Sequence, residues 1–538
     1  MPPPRPMPRL LRSQTNSSEQ KVVPATLFGN LVRTSQLVGA SSGRLAKVTE
    51  LASLLRELAP DELSVGVRYL SGDIPQGRIG VGYAALQAAA AHAAAVTESL
   101  TLAEVDHSLA GVAAMRGSGS AGRRAEVLRD LLARATAFEQ QFLLRLLLGE
   151  LRQGALAGIM QDAIAAAAGV PAAQVRRAAM YSQSLGAVAK AAMFEGSRSL
   201  EHFQLELFSP VSPMPAQTAA DVGEALREIG GEAAFEWKMD GARIQAHKSG
   251  DEVRIYTRAR NEVSAAVPEI VEQVRAFAHA TLVLDGEAIA FDAAGRPHPF
   301  QVTMRRFGRK LDVEASRAVL PIHGIFFDCL RLVGEHSITS RPYRERIEAL
   351  AQAVPAALRI PRLITACEPQ ARAFYDAAIA AGHEGVMAKS LDAPYEAGSR
   401  GASWFKIKRA HTLDLVILAA EWGHGRRTGK LSNLHLGALD PGSGEYIMLG
   451  KTFKGLTDAM LESQTRELLA RETRRDSGTV FVRPELVVEI AFSDLQASTR
   501  YPGGFALRLA RVKRYREDKR PEDADTMDSV RKIASASI

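Results

Sequence analysis

The spacing of apolar and polar residues divides the chain into three regions of different character. In residues 21–207, apolar side chains recur every three or four positions, as across residues 142–168, which predicts amphipathic helices. Residues 208–411 alternate between short runs rich in β-branched and aromatic residues and further helical segments. Residues 412–538 are mostly short strand-like runs separated by glycine turns. The pattern predicts a multidomain protein with an all-α domain, an α+β domain and a small β-barrel of the OB-fold type.

Proline-rich segments mark the ends of these regions. Residues 209–215 contain three prolines and predict a linker in front of the α+β region. Residues 1–20 hold five prolines and three arginines but a single acid, and no apolar signal-peptide core follows, so we expect a disordered tail. No apolar run reaches the about 18 residues that a membrane-spanning helix needs, so no membrane partner is expected.

Composition narrows the class of protein. A chain of 538 residues is too long to fold around a single hydrophobic core, so more than one domain is expected. Its content of 46% apolar and 24% charged residues is ordinary for a globular protein. The net charge of +7 suits a polyanionic partner, although a basic enzyme with a small substrate has the same balance. The two cysteines, Cys329 and Cys367, exclude a disulfide scaffold and a four-cysteine zinc site, and they indicate the reducing cytoplasm.

The segment Lys238-Met239-Asp240-Gly241 is the first candidate for chemistry. It follows a strand-like run, and strand alternation places Glu236 and Lys238 on the same face. Apolar neighbours would lower the pKa of the lysine by desolvation, as a nucleophilic amine requires. The alternative is an ordinary surface lysine, since four-residue matches of this kind occur by chance.

Further charged residues follow at intervals and make the nucleophile more credible. Two arginines, two carboxylates and a pair of lysines are candidates for holding an anionic ligand or a divalent cation; they are Arg243, Arg258, Glu287, Glu384, Lys406 and Lys408. Lys406 and Lys408 share one strand face, where they repel each other unless a polyphosphate lies between them or the face is solvated. Glu287 belongs to Asp285-Gly286-Glu287, which predicts an acidic turn between two apolar runs. The basic stretch at 508–520 is either a nucleic-acid contact or a solvated tail.

Six short motifs occur in a fixed order along the chain. They are Lys-x-Asp-Gly, Asp-Gly-Glu, Phe-Asp, Glu-Gly-Val-Met-x-Lys, Trp-x-Lys-x-Lys and Arg-x-Asp-Lys. Together they resemble the covalent nucleotidyltransferases, and most closely the ATP-dependent DNA ligases of the three-domain archaeal and bacterial type, in particular the bacterial ligase B group known from actinobacteria. The resemblance extends from about residue 21 to the end of the chain. Each motif alone is weak, but six in order are very improbable by chance.

The resemblance implies a role for each of these residues. Lys238 would attack the α-phosphate of ATP, and Glu236 would recognise the adenine amino group. The residues implied to hold the nucleotide or the 5′-phosphate are Arg243, Arg258, Phe327, which would stack on adenine, Arg400, Lys406 and Lys408. Glu287 and Glu384 would bind the ribose and Mg²⁺, for which Mn²⁺ is a plausible substitute. Arg516, Asp518 and Lys519 would orient the pyrophosphate leaving group.

The resemblance also implies the domains, the reaction and its partners. Residues 21–207 would be a helical DNA-binding domain, with residues 148–152 matching a segment of it; residues 208–411 an ATP-grasp-like adenylation (nucleotidyltransferase) domain; and residues 412–538 an OB-fold domain. The enzyme would seal nicks in double-stranded DNA through a lysyl-AMP and a DNA-adenylate intermediate, in replication, repair or recombination. We expect a monomer, and recruitment by a sliding clamp or by repair proteins stays open.

Three alternatives accompany this interpretation. An RNA ligase or a capping enzyme shares the nucleophile motif, but the long helical region in front of the motif favours duplex DNA. An NAD-dependent ligase would need a four-cysteine zinc element, which two cysteines cannot build. A non-catalytic nucleic-acid-binding protein would not need both Lys238 and the distant Arg-x-Asp-Lys motif. One departure from the family is Arg508-Leu509-Ala510-Arg511, where the family usually has Arg-Phe-Pro-Arg.

Overall fold

The computed structural model describes residues 25–536 apart from 78, 92, 152, 155–156, 308–311, 336, 398–402, 410, 425–426 and 477. The tail predicted at residues 1–20 therefore lies outside the described residues, as do Arg152 and Arg400 among the residues singled out by sequence. No helix in the described part of the chain combines the length and the apolar character needed to cross a membrane.

The first region is built from helices. They are α1 (Phe28–Ala40), α2 (Arg44–Glu57), α3 (Leu63–Leu70), α4 (Tyr83–Ala89), α5 (Leu102–Ala114), α6 (Ser120–Arg134), α7 (Ala137–Leu147), α8 (Ala157–Ala168), α9 (Ala172–Tyr181) and α10 (Leu185–Lys190). Helix α7 begins with a capping box, in which Thr136 and Glu139 satisfy each other's backbone N–H groups. It ends before Gly149, whose φ of +69° favours glycine. The apolar stripes of these helices meet in one buried cluster.

The middle region contains two antiparallel-rich sheets flanked by helices. Its elements are β1 (Gln217–Thr218), α11 (Val222–Ile229), β2 (Ala233–Trp237), β3 (Ala242–Ser249), β4 (Glu252–Thr257), α12 (Pro268–Arg275), β5 (Thr281–Ala290), α13 (Phe300–Phe307), α14 (Val313–Val319), β6 (Ile322–Arg331), α15 (Tyr343–Ala353), β7 (Arg362–Thr365), α16 (Glu368–Ala380), β8 (Gly385–Ser390) and β9 (Trp404–Lys408). One sheet has the order β1-β9-β8-β2-β7 and the other β4-β3-β5-β6. The chain crosses from the first sheet to the second directly after β2, which is where Lys238 lies.

The prediction of a turn at Asp285-Gly286 is wrong, because both residues lie in the interior of strand β5. Asp285 is buried, and the ion pair with Arg243 compensates its carboxylate for the loss of solvent. Gly286 packs under Phe326, and a Cβ at this position would lie 2.7 Å from the Phe326 ring. The glycine therefore serves close packing between strands and does not reverse the chain.

The last region is β-rich, in agreement with the sequence pattern. Its elements are β10 (His411–Trp422), β11 (Leu431–Leu439), β12 (Tyr446–Thr452), α17 (Asp458–Ala470), β13 (Glu472–Arg475), β14 (Thr479–Val482), β15 (Val487–Phe492), β16 (Asp494–Ala497), β17 (Phe505–Arg508), β18 (Arg511–Tyr515) and α18 (Met527–Ala536). The main sheet runs β12-β11-β10-β14-β13, and β15 joins β10 to β18. Strands β16 and β17 form a separate ribbon, and this ribbon reaches the middle region.

Candidate active site

A cleft between the two sheets of the middle region gathers charged side chains from distant parts of the sequence. The predicted residues that line it are Glu236, Lys238, Arg243, Arg258, Glu287, Phe327, Glu384, Lys406 and Lys408. Strand pairing explains the convergence. In the register of the first sheet, Glu236 lies opposite Met387, and Met387 lies opposite Lys406, so the three side chains occupy the same face.

Lys238 lies at the end of β2 and is held by its backbone and its side chain. Its N–H donates to Gly385 O (2.8 Å), and its carbonyl accepts from Glu384 N (3.1 Å). The ammonium Nζ lies 2.5 Å from Glu384 Oε2. Burial, the largest single influence, would lower the pKa of Lys238, but the carboxyl groups of Glu384, Glu287 and Asp240 together raise it above its ordinary value. The expectation of a lowered pKa is therefore wrong, because it considered only the apolar neighbours in sequence.

Glu384 joins two lysines at the floor of the cleft. Lys408 Nζ lies 2.9 Å from Glu384 Oε1 and 2.7 Å from Oε2. Burial would raise the pKa of Glu384, but the two ammonium groups lower it to about 2. Burial and the nearby Lys238 ammonium lower the pKa of Lys408. The cleft floor thus carries one carboxylate between two ammonium groups. The net positive charge of these three groups would attract an anionic ligand.

Arg243 is fixed in the second sheet by a residue that the sequence analysis gave no role. Its guanidinium donates to Asp285 through Nε (3.1 Å) and NH2 (2.6 Å), and Tyr395 OH donates to the same carboxylate at 2.7 Å. Arg243 NH1 donates to Met214 O of the proline-rich linker at 2.7 Å. The sequence carried a signal for Asp285, because residues two apart on a strand share a face, and Glu287 was already a candidate.

Glu287 stands opposite Arg243 in the pairing of β3 with β5. Burial raises the pKa of Glu287 to about 8, although Lys238 and Arg243 favour the charged form. This carboxyl group therefore loses its proton more readily when a cation or a hydrogen-bond donor approaches.

Glu236 is enclosed by three partners that sequence analysis did not identify. Arg362 Nε donates to Oε1 at 2.7 Å, Tyr343 OH donates to the same oxygen, and Lys389 Nζ lies 2.5 Å from Oε2. Arg362 faces Glu236 across the pairing of β2 with β7, whereas Tyr343 begins helix α15. No local pattern predicts these contacts, because they depend on which strands become neighbours.

Arg508 enters the cleft from the C-terminal ribbon. Its NH1 lies 2.9 Å from Asp240 Oδ2 and 3.9 Å from Glu384 Oε1, and its guanidinium lies over the Phe300 ring at 5.0 Å. In the sequence, Arg508 begins the basic stretch at 508–520, and no local pattern assigns it to the site. Its contact with Asp240 joins the C-terminal region directly to the segment that carries Lys238.

The cleft does not collect every predicted residue. Arg516 NH1 and Lys519 Nζ each lie 2.7 Å from Asp414 Oδ2, and Asp518 pairs with Arg516. These three residues are not among the described residues that line the cleft. The structure places them directly after β18, where Arg516 and Lys519 bind Asp414 of β10, and Arg400 lies outside the described residues.

The carboxylates of the cleft suit a hard divalent cation that arrives with phosphate ligands. In the described ranges, no group of three or more His, Cys, Asp or Glu side chains is placed to hold a metal ion. Mg²⁺ commonly uses one or two protein carboxylates and takes its other ligands from water and substrate phosphates. Glu287 and Glu384, both beside the lysines of the cleft, fit this pattern.

Three family models match the chain. They are described as the ATP dependent DNA ligase domain, over residues 213–408, the ATP dependent DNA ligase C terminal region, over residues 427–519, and the DNA ligase N terminus, over residues 87–165.

Individual proteins match over most of the chain. A probable DNA ligase of Anaeromyxobacter dehalogenans (strain 2CP-C) is 59% identical over 508 residues, which cover 94% of this chain and 99% of the relative. A probable DNA ligase of Mycolicibacterium gilvum is 54% identical over 498 residues, covering 92% and 97%. The solved structure titled Pmar-Lig_PreS3 has a TM-score of 0.60 and 17% identity, covers 90% of this chain and 99% of its own, and supports the fold alone.

Proposed function

The chain belongs to the ATP-dependent DNA ligases, and we propose that it seals nicks in double-stranded DNA through an AMP carried on Lys238 Nζ. The observation that carries this assignment of the nucleophile is the position of Lys238 at the floor of the cleft, on Glu384, which also binds the second lysine, Lys408. The match of the N-terminal family model to residues 87–165 disfavours an RNA ligase or a capping enzyme. As a member of this family the enzyme uses ATP.

The first step joins the lysine to the nucleotide. Lys238 Nζ loses a proton to water and attacks the α-phosphorus of ATP. The N–P bond forms as the bond between the α-phosphorus and the pyrophosphate oxygen breaks. Because Glu384 holds the ammonium at 2.5 Å, the amine must be freed from this ion pair as the nucleotide enters.

Two further displacements complete the reaction. An oxygen of the 5′-phosphate at the nick attacks the adenylate phosphorus, and the N–P bond to Lys238 breaks. The 3′-hydroxyl then attacks the 5′-phosphorus, loses its proton and releases AMP, which leaves a phosphodiester bond. Each step develops charge on non-bridging oxygens, and Lys406, Lys408 and Arg258 supply fixed positive charge for them.

The remaining cleft residues hold the nucleoside. Phe327 offers a ring for stacking, and Glu236 offers carboxylate oxygens to the adenine amino group. Arg243 would hold the nucleotide, as would Arg400 together with the 5′-phosphate; Arg400 is proposed on the family resemblance alone, since it lies outside the described residues. Mg²⁺, or Mn²⁺ in its place, would be held by Glu287 and Glu384 and would neutralise charge on the phosphate oxygens when bound.

The three regions act as three domains in this proposal. The helical domain at residues 21–207 grips the DNA backbone without reading sequence, so binding weakens as salt rises. Residues 208–411 form the adenylation domain, and residues 412–538 form an OB-fold that brings Arg516, Asp518 and Lys519 to the pyrophosphate in a second domain arrangement. The enzyme acts as a monomer.

Labelling with ATP tests the nucleophile. The protein is incubated with α-labelled ATP and Mg²⁺, and a labelled adduct that survives denaturation and alkali but is cleaved by acid, as an N–P bond is, is expected on the wild type and not on Lys238→Ala. Lys454→Ala is the matched control, because Lys454 is an exposed lysine outside the cleft. Label on Lys238→Ala at the wild-type level would refute the assignment, and sealing of nicked DNA against nicked RNA duplexes then identifies the polynucleotide.

A further inference from the structure

Glu236 is a buried carboxylate with more positive charge around it than its own charge requires. It is 1% exposed. Two cations, Arg362 and Lys389, pair with its two oxygens, and the Tyr343 hydroxyl donates to one of them. A carboxylate so surrounded stays ionised and presents only acceptor lone pairs.

Lys389 is the less expected of the two cations. It is 1% exposed, and its ammonium lies 4.4 Å from the ring centre of Phe327, 4.8 Å from Tyr343 and 4.2 Å from Trp404. Its hydrogen-bond partner besides Glu236 is Tyr343 OH at 3.0 Å. Burying an ammonium costs free energy unless it is paired with an anion, and aromatic faces, which attract cations, offset part of that cost.

The position of Lys389 directs its charge towards the base end of the cleft. Lys389 on β8 lies opposite Ala234 on β2, and Ala234 precedes Glu236 by two residues. The side chains of Lys389 and Glu236 therefore lie on the same face of the sheet. Two of the three rings around the ammonium, Phe327 and Trp404, also line the cleft. The ammonium is thus held at the wall against which a nucleotide base would pack.

We propose that Lys389, supported by Tyr343 and Arg362, selects the base of the nucleotide by holding Glu236 as a carboxylate that can only accept hydrogen bonds. The inference rests on the proposed function, in which Glu236 faces the base. Adenine presents an amino donor at C6, whereas guanine presents a carbonyl acceptor there. A fixed carboxylate attracts the first and repels the second.

Loss of Lys389 would weaken this discrimination in a defined way. A buried carboxyl group with fewer cationic partners favours its protonated form, which can donate to a carbonyl. Selectivity for ATP over GTP should therefore fall. Lys389 acts through Glu236 in this scheme and is a positioning residue. A purely structural lysine would instead affect every nucleotide alike.

The experiment combines variants with nucleotide analogues. The rate of labelled-nucleotide transfer to the protein, as kcat/KM, is measured with ATP, GTP and purine riboside triphosphate, which lacks the 6-amino group. Lys389→Met should lower kcat/KM about 10- to 100-fold for ATP, the range for a hydrogen bond to a charged group. With purine riboside triphosphate it should stay within about twofold, since the group that Glu236 reads is absent. The ratio of ATP to GTP should fall.

Two further variants make the result decisive. Lys406→Met, at a residue placed at the phosphates, should lower kcat/KM for ATP and for purine riboside triphosphate by the same factor. Tyr343→Phe removes the hydroxyl that donates to Glu236 and should lower kcat/KM for ATP more than for purine riboside triphosphate, but by a smaller factor than Lys389→Met. If thermal melting shows that Lys389→Met is not folded, Tyr343→Phe decides the question. An equal loss for both nucleotides in Lys389→Met, or in Tyr343→Phe in that case, would overturn the inference. Failure of the wild type to be labelled from ATP would overturn the proposed function instead.

Discussion

The contact between Arg508 and Asp240 is expected to hold the C-terminal region against the cleft in the arrangement described above. Arg508→Gln removes the guanidinium and with it the ion pair at 2.9 Å, the longer bond to the other Asp240 oxygen at 3.4 Å, and the packing over Phe300. The pair is neither fully exposed nor buried, since its side chains are 21% and 27% exposed. The substitution should therefore shift the population towards other domain arrangements.

The size of the shift follows from the geometry. Exposed ion pairs contribute about 0–1 kcal/mol, and hydrogen bonds to charged groups that are shielded from water about 1.5–3 kcal/mol. An intermediate exposure places the Arg508 contact at about 1–2 kcal/mol, which changes an equilibrium constant by roughly 5- to 30-fold. High salt should reduce the difference between variant and wild type, because surface charges are screened.

Energy transfer between two dyes measures this population. Cys367 is exposed and Cys329 is buried, so a dye can be directed to Cys367 in the middle region, with its partner on Ser443→Cys in an exposed turn of the C-terminal region. Arg508→Gln should change the transfer efficiency. Arg514→Gln is the control, because Arg514 pairs with Glu489 inside the C-terminal region. An unchanged efficiency in Arg508→Gln, or an equal change in the control, would refute the reasoning.

Three further perturbations test the cleft and its support. Glu384→Gln should move the pH profile of AMP transfer to lower pH, because it removes the charge that raises the Lys238 pKa; a profile that stays in place or moves upward would contradict this. Removing divalent cations with EDTA should stop AMP transfer but leave the melting temperature of the unliganded protein unchanged, whereas a lower melting temperature would indicate a structural metal. Arg346→Met leaves Asp328 buried without its partner and should cost about 3–5 kcal/mol in urea unfolding, against less than about 1 kcal/mol for the exposed pair removed by Arg344→Met.

Local strand geometry made the centre of the cleft predictable from the sequence. The two-residue period of a strand placed Glu236 and Lys238 on one face, and both residues line the cleft. The change of pattern after the proline-rich linker also separated a helical region from two regions that contain sheets. These features depend on neighbours within a few residues, which a sequence displays directly.

Features that depend on strand order or on distant charges were not predictable. The partners of Glu236 come from three separate elements, and their register is set only in the folded sheet. The pKa of Lys238 was predicted in the wrong direction because Glu384, far along the chain, reaches the ammonium. The prediction of a turn at Asp285-Gly286 failed for a similar reason, since the buried ion pair of Asp285 with Arg243 overrides the preference of an Asp-Gly pair for turns.

The position of Asp414 shows what a second domain arrangement would have to preserve. Asp414 lies on β10, and Arg516 and Lys519, which bind it, follow β18 of the same region. The three side chains therefore move together if the C-terminal region turns, and their mutual pairing can stay intact. Strand β9 ends at Lys408 and β10 begins at His411, so the chain offers only a short connection about which to turn. In the proposed reaction, such a turn would break the contact between Arg508 and the cleft before Arg516 and Lys519 approach the pyrophosphate. The proposal thus makes Arg508 and these two residues alternative occupants of one site.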